Sequence, residues 1–269
     1  MAAACSGPLY SSTISWREST PTPEPRSGYA AGVIAGKLYL MGGMQDGQPS
    51  RDVYTVQHAG SGLKWLRHSE LPEPRLFATA VSINRLIYVL GGTRQFEPFD
   101  SKGTCCTSLT ATNTVWVLDT ADASKSWKPL AKIPGELRWG EQAVTDGTAI
   151  YLFGGGYQAK VDDPVRKFNE VLRYDPASDR WSRVGDMPEA MQGAAPVFAG
   201  GKIILMAAGK KAMTFDAKTG KFSPIDPLPE DASVDRFFWI DSMLVGASGE
   251  STAEGPRRRS VWTFMGRLD

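Results

Sequence analysis

Arginine is the residue type whose placement in this chain most directly suggests chemistry. Arg26, Arg75 and Arg138 each open an apolar run, and 17 residues separate them from Gly43, Gly92 and Gly155, each the second glycine of a pair. A guanidinium presents a planar fork of donors that matches a carboxylate or phosphate. Three of them at one repeated position predict an anion site. Arg94 and Arg166, in the segments after the glycine pairs, are further candidate ligands, as are Trp139 and Glu141 in the third copy. Glycoside hydrolysis would need a pair of inner-strand carboxylates, for which Glu141 and Asp235 are the only candidates and Glu141 alone is well placed, so that chemistry is not the expected one. Acids stand close in sequence to these arginines, among them Glu24, Glu73 and Glu136. Taken singly, then, each arginine is better read as a loop brace, and it is the three together that raise the anion site beside that reading.

Other chemistries lack their residues. His58 and His68 are the only histidines, and neither is predicted to reach a central axis, so a copper site is not expected. Cys105-Cys106 are adjacent and lack metal spacing. The segments GGMQDG, GGTRQF and GGGYQA lack the Lys-Ser/Thr of a phosphate loop. No cofactor is expected. With 30 basic and 29 acidic residues the net charge is +1, which gives no reason to expect a nucleic-acid partner. No apolar run approaches the roughly 18 residues of a membrane span. Three cysteines make no disulfide framework. MAAACSGPLYSS has neither a basic nor a long apolar signal region, so the sequence as it stands predicts a cytoplasmic protein. Periplasmic or exported location is the alternative if the start is trimmed.

The elements that must position these residues form a repeat. Each unit has a first apolar run after the arginine and a second run ending at the glycines (KLYLM, RLIYVL, AIYLF, KIILM). A third run follows (DVYTV, TVWVLD, EVLRYD, AMTFD, SVWTF), then a fourth around Trp65, Trp127, Trp181 or Phe222. Short runs rich in Val, Ile, Tyr and Phe between turn residues predict strands. Second runs that are apolar throughout predict sheets covered on both faces, as in a β-propeller. Two weaker copies place Gln192 and Ala232 at the arginine position. The last unit lacks a fourth strand, and Trp16 belongs to a fourth strand without a unit. Pairing the two predicts five four-stranded blades closed by the N-terminal strand, with six blades the alternative. Residues 1–12 are expected as a flexible tail and 13–269 as one domain. In an antiparallel meander the arginines and post-glycine loops share one mouth, and the hairpin end is expected to carry no site.

The unit resembles the kelch motif over about residues 14–265: a glycine pair after the second strand, an aromatic in the third, a Trp in the fourth. Within that resemblance, GESTAEGPRRRSVWTF at 249–264 is similar to a segment of the bacterial sialic-acid mutarotase/epimerase family. There a Gly-Glu pair precedes an arginine and a third-strand hydrophobic pair. The resemblance implies Glu250 and Arg257 as catalytic residues, with Arg258 or Arg259 as alternatives to Arg257. It implies an acidic sugar such as N-acetylneuraminate as substrate. A non-catalytic module binding an acidic peptide or glycan at a basic mouth is the other reading.

Overall fold

A computed structural model describes residues 20–59, 62–96, 109–158, 163–206, 212–225, 234–240, 243–248 and 261–264. Its regular structure is all β. Blade one consists of Ala30–Ile34, Lys37–Met41, Asp52–Ala59 and Gly62–Glu70. Blade two is Thr79–Ile83, Leu86–Leu90, Val115–Asp119 and Trp127–Leu130. Blade three is Gln142–Thr145, Ile150–Phe153, Glu170–Asp175 and Arg180–Asp186. Blade four is Ala195–Ala199, Lys202–Met206, Ala212–Asp216 and Lys221–Ile225. Each is an antiparallel four-stranded meander, and Val234–Ile240, Met243–Ser248 and Val261–Phe264 form a fifth sheet of three strands. Trp16, Glu250 and Arg257 to Arg259 lie outside the described residues.

The first strands of consecutive blades pack on one another and so line the axis. Small residues there (Ala30, Gly32, Ala78, Ala80, Ala143, Ala195) leave an axial cavity of about 900 Å³ between blades one to four. The second strands are central in their sheets and buried on both faces, from Ile87 to Leu90 and from Ile150 to Phe153, which explains their unbroken apolar runs. The core lies between blades. Tyr39, Met41 and Val53 meet Ile87 and Val89 across the first junction. Leu90 and Val115 meet Ile150, Leu152 and Tyr174 across the second. Tyr151 and Phe153 meet Ile203, Leu205 and Phe215 across the third. Each such side chain, fully buried, contributes roughly 1.5–3 kcal/mol against exposure.

Two of the fourth-strand tryptophans make hydrogen bonds at the periphery, while Trp127 Nε1 meets no partner among the described residues. Trp181 Nε1 donates to Ala131 O at 2.9 Å, and Trp65 Nε1 donates to Thr20 O at 3.2 Å. Ala131 is four residues after Trp127, and Thr20 is four after Trp16.

Two features differ from the sequence reading. Met191, not Gln192, takes the arginine position in blade four. Its first strand starts four residues later at Ala195, as those of blades one to three start four after their arginines. Gly155 N–H donates to Met191 O just as Gly43 N–H donates to Arg75 O. Second, the post-glycine segments carry β ribbons: Met44–Gln45 with Gln48–Pro49, Thr93–Phe96 with Leu109–Ala111, and Gly156–Tyr157 with Arg166–Lys167. Bridges from Ser27 to Met44, Leu76 to Thr93 and Trp139 to Gly156 attach each ribbon to the residue after each arginine. Arginines and ribbons therefore share one end of the molecule, as the meander requires.

Candidate functional site

The repeated arginines stand at the feet of the ribbons but do not face a mouth. Arg75 and Arg138 are 0% and 1% exposed, and the Arg26 side chain 2%. Arg26 Nη1 donates to Gly42 O at 2.5 Å and Nη2 to Gln45 Oε1 at 3.1 Å, with Asp52 Oδ2 at 3.6 Å. Arg138 donates to Gly154 O at 3.3 Å and to Glu170 Oε2 at 2.8 Å. Arg75 donates to Glu73 Oε1 at 2.6 Å and to Thr114 Oγ1. Gly42 and Gly154 open their glycine pairs, and Asp52, Thr114 and Glu170 head the third strands. Each arginine thus closes the foot of its ribbon, joining strand two to strand three in blades one and three. The expected ring of free anion ligands is corrected accordingly. A buried glycine carbonyl at a strand end needs a donor, and the neighbouring acid compensates the guanidinium charge. Burial alone would raise the Glu73 carboxyl, but hydrogen bonding and charge from Arg75, with donors from Thr114 and Trp116, hold it down at about 2.

Glu141 also turns away from the axis. It is fully buried, and its Oε1 accepts the Gly92 N–H at 3.0 Å, a place held by a main-chain carbonyl at the junctions of Gly43 and Gly155. Gly91, at φ +57, makes the room, since a Cβ there would overlap the carboxyl. Oε2 meets no hydrogen-bond partner among the described residues. Burial pushes the carboxyl up to about 8, against the pull of the Gly92 N–H and of Arg138 and Arg75. Glu141 therefore holds its proton at neutral pH, but shut between blades two and three. A ligand in the axial cavity does not meet it, and the sequence-derived ligand role is corrected on that ground.

What the structure does bring together at this end is a different set. Arg94 and Arg166 ride on adjacent ribbons, 51% and 55% exposed, the first 3.4 Å from Glu73 Oε2 and the second paired with Glu136. Arg166 also lies over Tyr157 and Phe168, 5.9 and 5.3 Å from the ring centroids. Gly28 and Tyr29 stand in the cavity wall at this end, with Ala78 and Thr79 beside them. Trp139, half-buried, lies with its ring 5.6 Å from that of Phe77 in the neighbouring blade. Sequence reasoning passed over Phe77. Aligning the copies would have found it, since blades one and three carry Gly28 and Gly140 at the same position.

The hairpin end is not bare. A cleft of about 510 Å³ between blades three and four is lined by Asp146, Tyr151, Arg173, Phe198, Lys202 and Phe215, among others. Its wall is the hairpin of blade three, which is longer than the two-residue turns at Ala35-Gly36, Asn84-Arg85 and Gly200-Gly201. Asp146 holds that hairpin by accepting the Thr148 and Ala149 N–H groups at 2.8 Å. Among the described residues no group of three His, Cys, Asp or Glu side chains is placed to hold a metal.

Comparison with known proteins places this geometry in a family. N-acetylneuraminate epimerase of Yersinia enterocolitica is 36% identical over 142 residues, 47% of this chain and 36% of that protein. The enzyme of the same name from Vibrio cholerae is 34% identical over 113 residues, 41% of this chain and 29% of that protein. The matched stretches thus span about a third of these relatives. Among solved structures, one titled "Structure of YjhT" superposes with a TM-score of 0.65 at 22% identity, covering 86% of this chain and 75% of the other. That likeness speaks to the fold. Residues 10–209 match the KLHDC2/KLHL20/DRC7 Kelch-repeats domain. With glycine pairs, bridged ribbons and four-stranded meanders in register along that span, the chain is an all-β kelch propeller and belongs to this kelch-repeat family.

Proposed function

We propose that this chain acts on a small acidic sugar of the N-acetylneuraminate type and interconverts its anomers at the ribbon-side mouth. The observation that carries this reading is the identity of 34–36% to N-acetylneuraminate epimerases over nearly half of the chain. Two features of the site support it. A cavity of about 900 Å³ is within the size of small-molecule sites, roughly 300–1,000 Å³. Arg94 and Arg166 present exposed forks, each paired with a partly exposed acid. Surface pairs of this kind are worth only about 0–1 kcal/mol, so a substrate carboxylate can displace the acid.

Anomer exchange opens the ring of a hemiketal. The anomeric hydroxyl loses its proton, the bond from the anomeric carbon to the ring oxygen breaks, and that oxygen gains a proton. Closure on the other face of the ketone reverses each step. The reaction needs a proton acceptor, a donor and an anchor for the carboxylate, and no cofactor. In this proposal Glu250 carries the proton and Arg257 anchors the carboxylate, Arg258 or Arg259 being the alternatives for that anchor. Exchange spectroscopy by NMR on N-acetylneuraminate tests it. Wild type is expected to exchange anomers well above the buffer rate. Glu250→Gln should slow exchange by on the order of 10²-fold or more with binding retained, and Arg257→Ala should weaken both. A wild-type rate equal to buffer overturns the enzymatic reading and leaves a non-catalytic module for an acidic peptide or glycan.

A further inference from the structure

We infer that Phe77 and Trp139 form an aromatic platform on which the C–H face of a bound pyranose lies, an inference that rests on the sugar-acting reading above. At the second position after the repeated arginine, blades one and three carry glycine at φ +62 (Gly28) and +66 (Gly140). Blade two carries Phe77 at φ +55. The other non-glycine residues described with positive φ are Ala35, Asp46, Asn84, Lys125 and Asp179, none of them aromatic. The repeat itself imposes the backbone: Phe77 N–H donates to Gly28 O at 2.8 Å, and Leu76 is bridged to Thr93. Glycine meets that demand without steric conflict, and phenylalanine does not. A bulky residue kept in a strained conformation where the fold favours glycine points to a use for its side chain.

The surroundings say what the use is. The Phe77 ring abuts Gly28, a wall residue of the axial cavity, and is tilted 36° to Trp139 at 5.6 Å. Both aromatic residues remain partly exposed. Trp139 is fixed by its N–H to Gly156 O at 3.0 Å and by Gln192 Nε2 donating to its carbonyl at 3.2 Å. The backbone at each aromatic also adjoins a ribbon that carries an exposed cation. Phe77 follows Leu76, which is bridged to Thr93, the neighbour of Arg94. Trp139 is itself bridged to Gly156, at the root of the ribbon that carries Arg166. A partly exposed aromatic pair at the roots of ribbons that carry guanidinium forks suits a ligand with one C–H face and one carboxylate, which is a pyranose sugar acid.

The test uses the full chain with Phe77→Gly and Phe77→Tyr, read by saturation-transfer NMR and thermal melting. N-acetylneuraminate and a neutral methyl pyranoside are the ligands. Phe77→Gly is expected to weaken binding roughly 3–10-fold, the worth of one aromatic contact, while the melting temperature holds or rises. Phe77→Tyr should bind as wild type does. Unchanged binding in Phe77→Gly overturns the platform and leaves the sugar-acid reading intact. So does a fall in its melting temperature, which would mark Phe77 as packing alone. If wild type binds the neutral pyranoside but not N-acetylneuraminate, and Phe77→Gly loses that binding, the platform stands and the acidic-sugar reading falls. Wild type binding neither ligand overturns both.

Discussion

A carboxyl removed from water keeps its proton, and Glu141 is such a group. Its folded value of about 8 lies above the ordinary 4.5, so the folded chain holds this proton more tightly than the unfolded chain does. The stability it contributes is complete below about pH 4.5 and is lost as pH rises through about 8. Between about pH 4.5 and pH 8 the wild type should therefore lose melting temperature, and Glu141→Gln, which still accepts the Gly92 N–H, should lose much less. Parallel slopes in the two proteins would show that Glu141 is not the titrating group. The sequence marked Glu141 as an inner-strand carboxylate but could not say which way it turned. That depends on Gly91, across the junction in another blade, vacating the space. The arginines were half legible for a similar reason. Glu73, two residues from Arg75, could be read as its partner. Asp52 and Glu170 could not, because they meet Arg26 and Arg138 only after the third strand has returned.

Within a blade, the joint between arginine, glycine carbonyl and third-strand head is the unit that repeats. Arg138→Ala would strand Glu170 beside a buried gap and leave Gly154 O short of a donor. Because Glu170 keeps part of its surface in water, the expected loss is about 2–4 kcal/mol, at or below the range for breaking a buried pair. Arg138→Met with Glu170→Thr should recover most of that loss, since blade four already holds Met191 at this position. Chemical denaturation of the single and double variants measures both, and a double variant as unstable as the single one would contradict the brace. Strands were readable here because apolar runs between turn residues last four residues or more. The ribbons were not, since pairs such as Gly156–Tyr157 with Arg166–Lys167 are too short to show a period. The one-residue misplacement at Gln192 came from counting back from Gly209. The strand end at Met206 puts the glycine-pair positions on Ala207 and Ala208 instead.

Among the described residues, blades one to four lean on one another through apolar contacts between sheets, and the Trp181 indole ties blade three to blade two at the rim. Thr20 receives the Trp65 N–H where Ala131 receives that of Trp181, and Thr20 follows Trp16 by the four residues that separate Ala131 from Trp127. Removing residues 1–19 is then expected to bare sheet edges and cause aggregation, whereas removing 1–11 should leave a soluble chain with nearly wild-type melting. Light scattering and melting curves on the two truncations decide it, and a soluble, unaltered 1–19 deletion would refute the strand assignment. The all-β propeller was legible because a repeat leaves its spacing in the sequence, and a spacing survives substitutions that erase a motif. The braces carry a last consequence. Because each ribbon is shut at its foot, the chain beyond that point can lengthen, shorten or change composition without the frame registering it. Descendants of this molecule are thus free to try new tips while inheriting an old wheel, and the tip at Asp46-Gly47 is a natural place to splice in a foreign peptide.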